Sequence, residues 1–502
     1  MKISNLLPIF FISITGLFIR CNSIVKNNEE NQQTGKPNIV LIVSDDPGTI
    51  DAGCYGNPAI KTPNMDYLAS QGMKFTNAYC TSASCSASRS VILTGLYNHA
   101  NGQYGHKHNY NHFSAYDHIS SLPMLLNELA GYATARIGKY HVAPDEVFHF
   151  ETVLNADQRN PVAMADSCLD FIRANQHNPF FLYFCTSDPH RGGGIAEDNP
   201  YRPDRFGNKD EGYTGVEEIT FSPDDVIVPG YLPDTPECRA ELAQYYQSVA
   251  RLDQGMGRLF KHLKVKGLWN NSIVIYISDN GIAFPGAKTN LYEPGINLPC
   301  IIKNVNNKNE GTTNHAKITW ADLAPTILDY AGVLKESRDL LRTRWEAQKD
   351  QGDDTYNKDF HGRSFKEVLE NNTSNGWDTV YASHTFHEIT MYYPMRTIVT
   401  DKYKLIWNIA HELPYPHASD LWASATWQSA LSSENRMYAF KSVDYYCHRP
   451  EFELFDLEND PQEAENLADD PVYNQILVSL KEDLRNFQER TNDPWVVKWK
   501  HE

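Results

Sequence analysis

The chain has 502 residues, of which 41% are hydrophobic, 12% aromatic and 22% charged, a composition that excludes a disordered, collagen-like or multi-span membrane protein. Lys and Arg total 45 against 63 Asp and Glu, giving a net charge of −18 with no basic stripe, which argues against nucleic acid as a partner. An anionic ligand must therefore be drawn in by a few cations, or by a metal, set inside a cleft.

The chain opens with Lys2 before an apolar run from Leu6 to Ile19, the length of a signal-peptide core and short for a membrane span. The expectation is export, to the periplasm or surface of a bacterium, with residues 1–21 as the signal peptide. Cys21 is a candidate lipidated cysteine, although Arg20 stands where a small residue is wanted. Residues 22–36 are polar and lack an apolar period, the pattern of a flexible tether.

After Pro37, the stretch NIVLIVSDD carries a continuous apolar run from Ile39 to Val43, the pattern of a parallel strand buried on both faces. FFLYFCTSD (Phe180 to Asp188) and SIVIYISDNG (Ser272 to Gly281) repeat it, each with acidic residues at its end. Helices are predicted from Asn64 to Gly72, Ser121 to Ala130, Ala163 to Gln176 and Glu237 to Lys264. The alternation implies an α/β fold with a large, mostly parallel sheet and helices on both of its faces. Ligands of such sheets bind beyond the carboxyl ends of the strands, where Asp45, Asp46, Asp188, Asp279 and Asn280 fall. Residues from Leu334 to Phe360 are charged and poor in apolar side chains, and are expected to form a surface excursion. From Trp377 onward, TVYASHTF, MRTIVTDKYKLIWN and FELFDLEND precede an amphipathic segment from Pro471 to Glu489, which predicts a small antiparallel sheet plus a terminal helix. The expected domains are 37–375, catalytic, and 376–502, α+β. The nine cysteines include no CxxC pair and suggest neither a disulfide framework nor a zinc site.

Four short motifs carry chemistry. In TSASCSASRSVILTG, residues 81–95, Cys85 and Arg89 share one face of a helix near its N-terminus, where backbone N–H groups and a guanidinium would converge on an anion. A small buried cysteine beside a surface arginine fits that spacing equally well. Asp45 and Asp46 suit a metal site or a helix cap. Lys139 and His141 in IGKYHVAP would point to the same face of a strand, and His190 in SDPHR reads by itself as part of a turn.

CSASRSVILTG resembles the signature of the type I sulfatases, with Ala87 where proline is commoner. The resemblance implies an alkaline-phosphatase-like fold. It also implies that Cys85 is the precursor of formylglycine (3-oxoalanine), produced by a formylglycine-generating maturation enzyme, whose hydrate is the nucleophile. It extends to IVLIVSDD and SDNG, so that Asp45, Asp46, Asp279 and Asn280 become metal ligands together with residue 85. Such an oxygen-rich set suits Ca²⁺, whereas zinc would lack its usual imidazole or thiolate. By the same resemblance Arg89, Lys139 and Lys288 contact sulfate, His141 takes a proton from the hydrate, and His190 faces the leaving group. GLYNHANGQYGHKHNYNHF, DNGIAFPGAKTNLYEPG, HEITMYYPMRTIV and NDPW are similar to the sulfamidases, which act on heparan sulfate. Lys288 stands where those enzymes usually carry arginine. This narrower resemblance implies removal of N-sulfate from the terminal N-sulfoglucosamine of a sulfated glycosaminoglycan oligosaccharide. His387 and Glu388, ahead of the strand-like ITMYY, would contact the sugar. An O-sulfatase acting on 6-O-sulfated glucosamine is the alternative within the family. A phosphatase or phosphonate hydrolase would need a Thr or Ser nucleophile and zinc-binding histidines that are not evident, and a purely glycan-binding protein would leave Cys85 unmodified.

Overall fold

Every residue of the strands Asn38–Ser44, Phe180–Cys185 and Ser272–Ser278 is buried, as their unbroken apolar runs require of strands covered on both faces. They form the centre of an eight-stranded sheet. Its order is Thr152–Leu154, Ala133–Gly138, Phe180–Cys185, Asn38–Ser44, Ser272–Ser278, Cys300–Lys303, Met73–Phe75 and Thr312–Asn314. The first five are parallel, and Cys300–Lys303 runs antiparallel to both of its neighbours. The computed structural model describes Met1 and residues 35–305, 308–348 and 355–501. Apart from Met1, the expected signal peptide with Cys21, and all but the last two residues of the tether, lie outside the described residues. Among the described residues no helix is long and apolar enough to cross a membrane.

The longest described helix begins where the sequence supplies a cap. Pro236–Val265 starts with a proline in its first turn, and the Thr235 side chain accepts from Cys238 N. The single helix predicted from Ala163 to Gln176 is instead two, Pro161–Ser167 and Leu169–Ala174, which meet at Cys168. The segment after Leu334 lies at the surface and has a secondary structure of its own. It opens with a helix, Leu334–Gln348, whose Ser337 and Leu341 are buried while most of its charges face water. Charge density on one face had masked a narrow apolar stripe.

A second sheet has the antiparallel order Val380–His384, Met395–Val399, Tyr403–Asn408 and Phe452–Asp456. Ile398, Leu405, Trp407 and Leu454 of this sheet pack with Leu480 and Leu484 of the terminal helix Asn474–Arg490. The ITMYY stretch is not a strand. Met391 N donates to Glu388 O (2.9 Å) and Tyr393 N to Thr385 O (3.1 Å), closing a loop before Pro394, which has no N–H to give a ladder.

Two histidines in this interior set a pH limit on stability. Burial lowers His99 to about 4 and His384 to about 3, and neither ring nitrogen of His384 has a hydrogen-bond partner. In the unfolded chain each accepts a proton near 6.5, so between there and pH 4 the unfolded state binds more protons. Stability is thus fully present above 6.5 and falls as pH drops, by about 1.4 kcal/mol per pH unit for each ring held neutral. The thermal midpoint should decrease from pH 7 to pH 5, and His384→Leu should flatten that slope. An unchanged slope in the variant would contradict neutral burial.

Candidate active site

The strands Asn38–Ser44 and Ser272–Ser278 are paired through Ser44 and Ser278, so Asp45–Asp46 and Asp279–Asn280 leave the sheet side by side. All four side chains are buried. Asp279 N donates to Ser44 O (3.2 Å), and Asp46 N donates to Asp279 Oδ1 (3.2 Å). Asp46 sits in the left-handed region at φ 73°, a strained position held by these contacts. Gly281 cannot be replaced cheaply, because a Cβ there would lie 2.0 Å from Pro294 O.

The helix Cys85–Thr94 begins at residue 85, with Ser84 at its N-cap, and all ten of its residues are buried. Arg89 is therefore not a surface arginine. Its Nε donates to Asp279 Oδ2 (2.8 Å) and its Nη1 to Lys139 O (2.8 Å). Cys85 Sγ lies 3.7 Å from Asp46 Oδ1. Ligand atoms of Asp45, Asp46, Cys85 and Asp279 all lie within 4.8 Å of one another. Asp45 Oδ1 and Asn280 Oδ1 are buried with no hydrogen-bond partner, which is costly unless a cation satisfies them. Carboxylate and amide oxygens without an imidazole among them fit a hard cation held by Asp45, Asp46, Asp279 and Asn280.

Charge balance at this cluster is tight. Burial would raise the Asp45 carboxyl, but Lys139, which donates to Asp45 Oδ2, and His190, Arg89 and Lys288 together hold it well below the usual carboxylate range. Burial wins at Asp279 and pushes it up to about 7 against the pull of Arg89. Lys288 is fully buried, yet Asp420 (3.1 Å) and Asp46 (2.9 Å) keep its ammonium protonated. The Cys85 thiol is raised well above its ordinary value by burial, so it is protonated at neutral pH and is not a nucleophile in that form.

Lys139 and His141 reach the site by a different route from the one predicted. The strand Ala133–Gly138 ends before them, and Gly138 has φ 81° with its Cα so close to the next strand that a Cβ would lie 1.9 Å from Cys185 O. His141 itself has φ 57°. Two left-handed residues, rather than strand alternation, place both side chains on one cavity of about 630 Å³. That cavity is also lined by Asp45, His190, His387, Glu388 and Asp420. Burial, then Lys139, lowers His141 well below its ordinary value, leaving it a neutral base.

His190 follows the strand Phe180–Cys185 and is held by its backbone. Arg159 Nη1 donates to His190 O (2.7 Å) and to Asp188 Oδ1 (3.1 Å), while Arg251 pairs with both oxygens of Asp188 at 2.7 and 2.9 Å. The ring hydrogen of His190 sits on Nδ1, which donates to Arg191 O (2.7 Å), so Nε2 accepts from Lys288 Nζ (3.0 Å).

His387 and Glu388 differ from each other. His387 is buried, with Nδ1 2.9 Å from Ser84 Oγ and Nε2 2.9 Å from His106 Nε2, so both ring nitrogens are engaged. Glu388 is half-buried at the cavity and accepts from Ser419 Oγ (2.7 Å). Sequence reasoning missed His106, His108 and Asp420. The two histidines stand at spacing two in GHKH, a detectable signal, and their rings lie beside His141, with His108 Nδ1 2.7 Å from His141 Nε2. Asp420, in HASDLW, carries no local signal at all.

The family model described as Sulfatase matches residues 37–333, and one described as N-sulphoglucosamine sulphohydrolase, C-terminal, matches residues 432–490. The chain is 36% identical to human N-sulphoglucosamine sulphohydrolase, over 91% of each protein. It is 24% identical to an N-acetylglucosamine-6-O-sulfatase of Bacteroides thetaiotaomicron, covering 93% of this chain and 89% of the relative. A solved structure of a protein in complex with its substrate D-glucosamine-2-N,6-O-disulfate superposes with a TM-score of 0.63 at 22% identity, over 91% of this chain and 99% of that one. With the alkaline-phosphatase-like sheet and the cluster at residue 85 on the same strand ends, the chain belongs to the sulfatase family of hydrolases.

Proposed function

We propose that the protein is exported and releases sulfate from the N-sulfoglucosamine at the non-reducing end of a heparan-type glycosaminoglycan. Ca²⁺ and a formylglycine made from Cys85 by a maturation enzyme would be its cofactors. The convergence of Cys85, Arg89, Lys139 and Lys288 on a buried carboxylate cluster with orphaned oxygens carries this reading. The match to human N-sulphoglucosamine sulphohydrolase over 91% of both chains supports the choice of N-sulfate. Lys2 and the apolar run after it support export.

When bound, the cation would polarise a sulfate oxygen and the modified residue would supply the attacking oxygen. Arg89, Lys139 and Lys288 supply three positive charges in a largely buried site, where they stabilise charge on a transferring sulfuryl group far better than in water. This answers the repulsion expected from a net charge of −18. An incoming sulfate takes over the Lys288 ammonium from His190 Nε2 and places negative charge beside that ring. Both changes favour a proton on Nε2, where it can be passed to the departing nitrogen. His141 stays neutral and can take a proton from the group at residue 85, with His108 as its link to solvent.

The test is sulfate release by protein fully converted at residue 85. N-Sulfoglucosamine should be cleaved, and 6-O-sulfated N-acetylglucosamine should be a poor substrate. Faster release from the 6-O-sulfated sugar would reject the N-sulfatase reading while leaving the family intact.

A further inference from the structure

We propose that Asp420 selects the N-sulfate by accepting a hydrogen bond from the departing nitrogen, an inference that rests on the N-sulfatase reading above. Asp420 Oδ2 lies 3.1 Å from Lys288 Nζ and 3.9 Å from His190 Nε2, and Lys288 Nζ is 3.0 Å from the same His190 atom. These three atoms form a small triangle in which His190 and Asp420 line the cavity and Lys288 lies buried behind them, with Asp46 Oδ2 2.9 Å from Lys288 Nζ. The Asp420 side chain is 22% exposed, and the residue lines the cavity, so it is presented to a ligand. An atom that meets His190 Nε2 from the side of Asp420 can lie within hydrogen-bond reach of both, because Asp420 Oδ2 is 3.9 Å from that nitrogen.

The chemistry of the two candidate bonds differs at that atom. A sulfamate nitrogen carries one N–H before cleavage, and a sulfate-ester oxygen carries only lone pairs. In the sulfamate reaction the S–N bond breaks and its electron pair stays on nitrogen, which takes a proton from His190 Nε2, while the sulfuryl group passes to the nucleophile at residue 85. The amine then leaves with two N–H groups and is protonated further near neutral pH, as amino groups with ordinary values of about 8 are. An ionised carboxylate is an acceptor only. It therefore pairs with the nitrogen at every stage, and with an ester oxygen it faces lone pairs until a proton has arrived. A site with a polar group built for one partner rejects the analogue that leaves it unpaired. Lys288 and the metal ligands cannot make this distinction, because they meet the sulfuryl oxygens, which are the same in both substrates.

The experiment compares wild type, Asp420→Asn and Asp420→Glu, each with residue 85 checked for conversion. The substrates are N-sulfoglucosamine and an activated aryl sulfate ester, whose phenolate departs without a proton. Asp420→Asn should lose roughly 10- to 100-fold more in kcat/KM on the sulfamate than on the aryl ester, the scale of one charge-assisted hydrogen bond, because Lys288 keeps Asp46 as a partner and any weakening of Lys288 falls on both substrates alike. Asp420→Glu should recover part of the loss. Inhibition by glucosamine, a cation, should weaken in Asp420→Asn while inhibition by N-acetylglucosamine stays the same. Equal losses on both substrates would mean that Asp420 acts through Lys288, and no loss would mean that it is idle, and either result overturns the proposal. Wild-type protein that cleaves the aryl ester and not the sulfamate would instead overturn the N-sulfatase reading on its own.

Discussion

Cys85→Ala is expected to remove sulfate release entirely, a loss on the order of 10⁴-fold or more, while the thermal midpoint moves little. In the proposed mechanism residue 85 supplies the attacking group. Asp45, Asp46 and Asp279, whose oxygens lie within 4.8 Å of Cys85 Sγ, are each committed to Arg89, Lys139, Lys288 or a backbone amide. The side chain removed is small and lies at the first position of its helix, so the cavity left is minor beside that of a large core residue. Cys85→Ser separates the role of a precursor from that of a thiol. An oxygen nucleophile that keeps its ordinary high pKa would leave only a trace of activity, and only where the maturation system accepts serine. A Cys85→Ala protein that retains turnover would place the nucleophile elsewhere.

The second large effect is expected at the strand ends. Asp279→Asn should reduce turnover on the order of 10³-fold together with bound Ca²⁺, and excess Ca²⁺ should restore part of it. Asparagine is the informative replacement, because alanine would also leave the buried Arg89 without its 2.8 Å partner and destabilise the fold. Chelator treatment of the wild type should reproduce the loss reversibly. Normal metal content and normal turnover in Asp279→Asn would move the metal site away from these strands.

The sheet was legible because fully buried parallel strands leave no ambiguity of period, and the runs ending in SDD, TSD and SDNG carried their acidic ends to one edge. The helix at Cys85 was legible from spacing alone. Lys139 and His141 were correctly paired for the wrong reason, since Gly138 and the left-handed His141 lie beyond the strand and no periodicity describes such a turn. ITMYY, residues 389–393, read as strand-like because its aromatic and β-branched residues fit a strand, whereas the backbone closes on itself ahead of Pro394. Asp420 was invisible for a different reason. Its meaning arises only when a four-residue helix, Ser419–Trp422, sets it against Lys288, which is 132 residues away in the chain.

In the proposed mechanism residue 85 is a converted cysteine that attacks the sulfuryl group beside a cation held by Asp45, Asp46, Asp279 and Asn280. This mechanism is tested most directly by peptide mass mapping of residue 85 in the same preparations whose turnover of N-sulfoglucosamine is measured, with and without co-expressed maturation enzyme. The account predicts formylglycine at residue 85 and a kcat proportional to the converted fraction. Full activity in protein whose Cys85 is entirely an unmodified thiol would contradict it.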